Sequence, residues 1–365
     1  MRIAEVAPLY ESVPPKGYGG TERVVSWLTE ELVRLGHDVT LFASADSMTT
    51  ARLVPCCAES LRLSSGCVDQ LAHHMVLLEK VLQQKHKFDL IHFHVDYLHF
   101  PVSSRERYSH VTTLHGRLDI PDLVPLYQIY SDMPVISISD AQRDPLPHLN
   151  WQGTVHHGFP PETYTCNTKP GKYLAFLGRT SPEKGLDRAI EIAQRAGMPL
   201  KIAAKIDKVD QEYFDSCIRP LLNSSDIEFL GEIGYPAKDE FLGGAAALLF
   251  PISWPEPFGI VMIEAMACGT PVIAYPFGSV PEVVKHGVSG YIVNDLQAAV
   301  DAINRLDKVE RKKVRKYFEQ NFTASRMTQD YLRIYERRLT QKKPPLAVND
   351  GVLTWMKLTS PSSTT

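Results

Sequence analysis

Tyr173-Leu174-Ala175-Phe176-Leu177-Gly178-Arg179-Thr180-Ser181-Pro182-Glu183-Lys184-Gly185-Leu186 is the stretch on which the organisation of the chain turns. A short apolar run ends in a Gly-Arg turn, and a helical pattern follows that sets Leu186, Ala189, Ile190, Ala193 and Ala196 on one face. This strand-turn-helix unit restarts a pattern after residues 158–172, which have no usable periodicity and read as a linker. Downstream, strands are predicted at Leu200–Ala204, Ile227–Leu230, Ala246–Pro251 and Pro271–Ala274, with a helix from about Phe258 to Cys268 capped at Gly269.

Upstream the same alternation is present. Ile3–Ala7 is an apolar run closed by Pro8, a Gly/Pro-rich loop follows, and Val24, Val25, Trp27, Leu28, Leu32 and Leu35 recur at helical spacing as far as Gly36. Strands are predicted at Val39–Ala43, Leu90–Phe93, Val111–Leu114, Val135–Ile138 and Thr154–His156, with a helix at about 68–85. Strands separated by helices imply βαβ units and parallel sheets covered on both faces. The expected class is α/β, with two doubly wound, Rossmann-like domains at 1–160 and 161–324 and a central cleft. A helix at about 325–340 is expected to pack back on the first domain, and 341–365 to form a flexible tail.

The chain of 365 residues suits about two domains, each able to bury its own core. Its 44% hydrophobic and 22% charged residues exclude disorder, and a net charge of −3 argues against nucleic-acid binding by phosphate neutralisation. Residues 1–160 carry 13 Lys+Arg against 18 Asp+Glu and the remainder 26 against 24, so the second half is the better host for an anion. The six cysteines form no CxxC pair, which fits a reducing cytoplasm, and no run approaches the ~20 apolar residues of a membrane span. Membrane contact is expected to be peripheral at most, at the inner face.

In open parallel sheets ligands bind outside the carboxyl ends of the strands, so the loops after strands are the places to search. The first, Pro14-Pro15-Lys16-Gly17-Tyr18-Gly19-Gly20-Thr21, lets backbone N–H groups approach an anion at a helix start, although alone it reads equally well as a turn. In the second half, Arg179 and Lys184 flank a strand-to-helix turn, a pairing suited to a diphosphate. Glu256-Pro257-Phe258-Gly259-Ile260 leads into a helix that carries Glu264 among apolar neighbours, where a carboxylate needs a partner. Helical rise across these eight steps puts the carboxylates roughly 12 Å apart, too far for an acid/base dyad and suited to gripping two ends of an extended ligand.

Taken together, Gly17-Tyr18-Gly19-Gly20-Thr21-Glu22-Arg23, Phe176-Leu177-Gly178-Arg179 with Glu183-Lys184-Gly185, the Glu256/Glu264 pair, and Gly269-Thr270-Pro271-Val272 with Pro281-Glu282 resemble the family-4 retaining glycosyltransferases over about residues 1–340. The resemblance implies a GT-B fold, with the acceptor held mainly by the first domain and a UDP-, GDP- or ADP-linked sugar by the second. It implies that Arg179 and Lys184 hold the diphosphate, that Glu256 and the Phe258, Gly259 and Ile260 backbone contact the sugar, and that Glu264 binds the ribose. Ile233 lies where the family packs the base, Gly19 and Gly20 close over the phosphates, and His115 matches the histidine beside the transferred sugar. Catalytic roles thus fall on His115, Arg179, Lys184 and Glu256. The acceptor is a small molecule, a glycan or a lipid-linked compound, and His94, Asp96, Tyr97 and Arg117 are the expected residues around it.

No third carboxylate is placed as a nucleophile, so the resemblance implies front-face hexosyl transfer in which the leaving phosphate helps deprotonate the acceptor. Two cations and helix ends balance the diphosphate, no DxD-type motif is evident, and neither metal nor cofactor is expected. Twelve of the 13 histidines precede residue 158. His92 and His94 share one face of a strand, a pattern compatible with metal, although lining the acceptor cleft or hydrogen bonding inside the first domain is the preferred reading. Arg311-Lys312-Lys313-Val314-Arg315-Lys316 reads as a solvated helix face, with contact to anionic lipid as the alternative. Two further readings stay open: a non-hydrolysing sugar-nucleotide epimerase, which shares the architecture, and a non-catalytic sugar-nucleotide-binding protein.

Overall fold

The apolar runs become two parallel sheets in a computed structural model that describes residues 1–340 apart from Tyr18, Leu63, Pro170 and Pro236. The 341–365 tail lies outside the described residues. The first sheet contains β1 (Arg2–Val6), β2 (Asp38–Ser44), β3 (Arg52–Cys57), β4 (Leu90–Phe93), β5 (His110–Thr113), β6 (Val135–Ser137) and β7 (Trp151–Thr154). Their order is β3-β2-β1-β4-β5-β6-β7. The second sheet is built from β8 (Tyr173–Arg179), β9 (Leu200–Lys205), β10 (Ile227–Gly231), β11 (Ala245–Phe250), β12 (Val272–Ala274) and β13 (Gly290–Ile292), ordered β10-β9-β8-β11-β12-β13.

In both sheets the strand order reverses beside the first strand: β1 lies between β2 and β4, and β8 between β9 and β11. The crevice outside such a reversal is where α/β sheets take ligands. The loops after β1, β4, β8 and β11 therefore supply the site. Register places Glu5 of β1 between Leu41 and His92, so that Glu5, His92 and His94 face the same way.

Three strands differ from the sequence reading. β3 was not expected because Pro55 interrupts it; β3 is an edge strand, and only there does a proline cost no ladder hydrogen bond. β13 spans Gly290-Tyr291-Ile292, too short for a visible alternation, and it too is an edge. The last strand of the first sheet lies at Trp151–Thr154, a few residues before the expected Thr154–His156.

The helix Ala324–Thr340 buries Met327, Tyr331, Ile334 and Tyr335 against Ile3, Val24, Leu28 and Ile136 of the first sheet and its flanking helix. Its hydroxyls reach deeper still, with Tyr335 Oη 2.7 Å from His92 Nδ1. Across the cleft, Glu282 of the second half accepts hydrogen bonds from the backbone N–H groups of Asp140 and Ala141, both at 2.8 Å, and from His156 Nε2 at 2.9 Å.

The basic stretch belongs to a helix, Arg311–Asn321, but two of its cations are structural. Arg311 is buried and donates to the carbonyls of Asn167, Ala245 and Gly243 and to Thr270 Oγ1. Arg315 donates to the carbonyls of Tyr164, Ala267 and Pro161. Lys312, Lys313 and Lys316 remain exposed, so only part of the run is a solvated face.

Candidate active site

A single cleft of about 860 Å³ is lined by every expected site residue: Gly19, Gly20, His94, Asp96, Tyr97, His115, Arg117, Arg179, Lys184, Ile233, Glu256, Phe258, Gly259, Ile260 and Glu264. His92 does not line it. That imidazole is fully buried behind the wall, with Nε2 2.7 Å from Thr113 Oγ1, so the hydrogen-bonded reading applies to it.

Two helix starts meet in the cleft. The helix Gly20–Arg34 has Gly19 as its N-cap and the helix Ile260–Ala267 has Gly259, and neither receives a side-chain cap. Their first-turn N–H groups and dipole ends are thus left to a ligand. A Cβ on Gly20 would make ordinary contact with Ile260 Cδ1 of the second half at 3.6 Å, whereas one on Gly19 would come within 2.8 Å of Pro15 Cβ and crowd its own loop. Gly259 adopts φ 75°, a left-handed turn that aims the helix start and suits glycine. Because the helix begins at Ile260 and not Phe258, helical rise governs only the second half of the Glu256–Glu264 separation, and the roughly 12 Å expectation does not carry over.

The cations are held more firmly than their sequence positions suggest. Arg179 pairs with Glu183 at 2.8 Å and with Asp210 at 3.1 Å, and Lys184 pairs directly with Glu256. Lys184 Nζ also sits 4.7 Å from the centre of the Trp254 ring, which Arg117 approaches from the first domain at 5.5 Å. Arg117 is itself fixed by Asp119 at 2.7 Å. The second carboxylate has other partners. Glu264 accepts from Tyr164 Oη at 2.8 Å and from Lys238 Nζ at 2.9 Å, which answers the requirement for a counter-charge among apolar neighbours.

Tyr164, Lys238, Trp254 and Asp210 were not singled out by sequence. Tyr164 lies in the linker and Lys238 in a short helix, neither within the loops that motif spacing recommends. Trp254, in the Ser253-Trp254-Pro255 approach to Glu256, carried the one available signal, an aromatic next to a proline turn at a strand end.

On the first-domain wall, Asp96 has φ 49°, a strained conformation for a residue with a side chain, and burial pushes its carboxyl up to about 6. Burial likewise raises Glu22, in the first turn of the glycine-capped helix, to about 7. Four rings run back from the cleft: His157 stacks on His115 with centroids 5.4 Å apart, His115 lies 5.2 Å from His94, and His94 4.0 Å from His92. Burial and neighbouring histidines hold His115 well below the usual imidazole range and His94 at about 4.

Glu5, His92 and His94 present ligand atoms within 4.8 Å of one another, the one such grouping among the described residues. Each already has a hydrogen-bonding partner, with His94 Nε2 donating to Glu5 Oε2 at 2.8 Å and His92 hydrogen-bonded to Thr113 Oγ1 and Tyr335 Oη, each at 2.7 Å. The set is satisfied as a polar network. No helix among the described residues is long and apolar enough to cross a membrane.

Both halves of the chain match known proteins. A Glycosyltransferase Family 4 model matches residues 18–150 and a Glycosyl transferases group 1 model matches residues 167–324. The chain is 24% identical to the O-antigen chain mannosyltransferase C of Escherichia coli, a match covering 94% of this chain and 100% of that protein. It is 31% identical to an uncharacterized 42.6 kDa protein of Klebsiella pneumoniae over 45% of this chain, where the match spans 41% of that protein's length. Among solved structures, AviGT4, a glycosyltransferase involved in avilamycin A biosynthesis, superposes with a TM-score of 0.73 at 24% identity, covering 94% of this chain and 99% of that one. HepE of Anabaena in complex with UDP and glucose gives 0.69 at 20% identity, over 92% and 99%. With both halves matched in order and the GT-B architecture present, the chain belongs to the group 1, family 4 glycosyltransferases.

Proposed function

We propose that this protein transfers a hexosyl group, with retention and without a metal ion, from a nucleotide-diphosphate sugar to an acceptor hydroxyl. The observation that carries this is the convergence of Arg179, Lys184, Glu256 and Glu264, from two separate segments, on a cleft into which two uncapped helix starts open.

In this reading the diphosphate lies against the helix starts at Gly19-Gly20 and Gly259-Ile260, and Lys184 exchanges Glu256 for a phosphate oxygen. The exchange lets Glu256 accept hydrogen bonds from the sugar while Lys184 stabilises charge on the departing phosphate. Arg179, braced by Glu183 and Asp210, keeps a fixed direction toward the same phosphate. Glu264, held by Tyr164 and Lys238, takes the ribose, and Ile233 packs the base. The leaving phosphate accepts the acceptor proton on the face it has just vacated. Asp96, Tyr97 and Arg117 bound the acceptor side, and His94, both of whose ring nitrogens are engaged, stands behind His115. UDP bound to HepE and ADP bound to starch synthase IV of Arabidopsis thaliana support a nucleoside diphosphate here, with uridine, guanosine and adenosine as the candidate bases.

Incubation with a panel of UDP-, GDP- and ADP-hexoses tests the reading. Slow nucleotide release from one donor, unchanged by EDTA, is expected, because charge balance comes from Arg179, Lys184 and the helix ends. Isomerised donor without nucleotide release would identify an epimerase, and binding without any turnover would sink the catalytic reading.

A further inference from the structure

Behind the cleft wall runs a hydrogen-bond chain that the transfer reading leaves unused. His115 Nε2 lies 2.9 Å from His94 Nδ1, and His94 Nε2 lies 2.8 Å from Glu5 Oε2. The other Glu5 oxygen accepts from Tyr335 Oη at 3.3 Å, and that hydroxyl is 2.7 Å from His92 Nδ1. Glu5 and His92 are fully buried, and the carboxyl is anchored from both sides in the middle of the first sheet.

The donor and acceptor roles along the chain follow from proton counting. Burial would raise the Glu5 carboxyl, but the two histidines bring it down to about 2, so it is ionised and can only accept. His94 must therefore carry its proton on Nε2. A neutral imidazole has one N–H, which leaves His94 Nδ1 as an acceptor and makes His115 Nε2 the donor to it. His115 is neutral for the same reason as His94, burial beside other imidazoles, so its Nδ1 keeps a bare lone pair. That Nδ1 is buried and has no partner, on a side chain that lines the cleft.

We infer that Glu5 and His94 are positioning residues that lock His115 as its Nε2–H tautomer, so that the cleft wall offers an acceptor at Nδ1 for a hydroxyl of the transferred sugar. The identity of that ligand group rests on the glycosyl-transfer reading; the tautomer does not. The arrangement selects for a hydroxyl that donates. Glu5 and His94 act through His115 and touch no substrate themselves.

The tautomer is read directly on the intact protein by NMR of 15N-labelled histidines, with His115 assigned by loss of its signals in His115→Gln. A bare Nδ1 and a protonated Nε2 are expected; a protonated Nδ1 in the wild type overturns the proposal without any kinetic measurement. His94→Gln tests positioning, because a carboxamide can accept from His115 and donate to Glu5 at once. It should keep the tautomer and hold kcat/KM for the donor within a few-fold, whereas His94→Leu should mix the tautomers and lower kcat/KM about tenfold, the worth of one well-placed hydrogen bond. Equal behaviour of Gln and Leu, at matched thermal stability, overturns the positioning role. If no donor is turned over, the transfer reading fails while NMR still decides the tautomer.

Discussion

Lys184 and Glu256 hold each other, and this pair sets the sharpest residue-scale expectations. Lys184→Ala removes the cation assigned to the leaving phosphate and should lower transfer by roughly 10²-fold, since one preorganised charge in a dry site is worth about 3 kcal/mol. Its melting temperature should change little, because the ammonium is partly solvated; near-normal turnover in the folded variant would remove the diphosphate assignment. Glu256→Gln and Glu264→Gln should fail differently. Glu256 meets the sugar, where charge changes during reaction, so its loss should fall on kcat. Glu264 grips a part of the donor that hardly changes, so its loss should raise KM. Steady-state kinetics with varied donor decides the matter, and an unchanged KM in Glu264→Gln would contradict the ribose assignment. The motif residues were legible in the sequence because their chemistry is local: glycine before a helix, cations after a strand, carboxylates around a turn. Their pairing was not, since Lys184 and Glu256 stand 72 residues apart.

Among the elements, the helix Arg311–Asn321 illustrates how a run of like charges misleads. In sequence its arginines look like part of a solvated face; packed, Arg311 ties three carbonyls and Thr270 Oγ1 together beside the Glu264 helix. Arg311→Ala removes four hydrogen bonds, with Gly243 O keeping a second donor in Asn167 Nδ2, and should cost about 3 kcal/mol, read as a shifted denaturant midpoint. Arg311→Lys should recover only part, because one ammonium cannot reach all four with the geometry of a guanidinium fork. Lys312→Ala, on the exposed side of the same turn, should be neutral, and equal losses at 311 and 312 would contradict this account. Edge strands were the other blind spot. β3 carries a proline and β13 is three residues long, and neither pattern announces a strand until a neighbouring strand offers the ladder.

For the whole molecule, the buried imidazoles set the response to acid. His94 and His157 are lowered to about 4 and about 3, and His99 and His115 well below their usual range, chiefly by burial. In the unfolded chain each titrates near 6.5, so as pH falls from 6.5 toward 4 the unfolded state binds protons that the fold refuses, and stability drops. Glu22 and Asp96, raised to about 7 and about 6, act in the opposite sense, because the fold binds their protons more readily than the unfolded chain does. Four imidazoles outweigh two carboxyls, so the melting temperature should fall steadily over that window. Calorimetry across it checks the sign, and a flat or rising profile would mean that these rings are solvated.

Alternation of apolar runs determined the two α/β halves, and residue types in the loops after the strands determined the motif side chains of the cleft but not Tyr164, Lys238 or Trp254, because periodicity and the opening of strand ends at a sheet reversal are local signals. Only the tertiary structure decided the partners: that Glu256 holds Lys184, that Tyr164 and Lys238 hold Glu264, and that His92 is sealed behind the wall while His94 lines it. The physical reason is that a buried charge or imidazole must be satisfied by whatever the packing brings within about 3 Å, and packing joins residues hundreds of positions apart, as Glu5 and Tyr335 show.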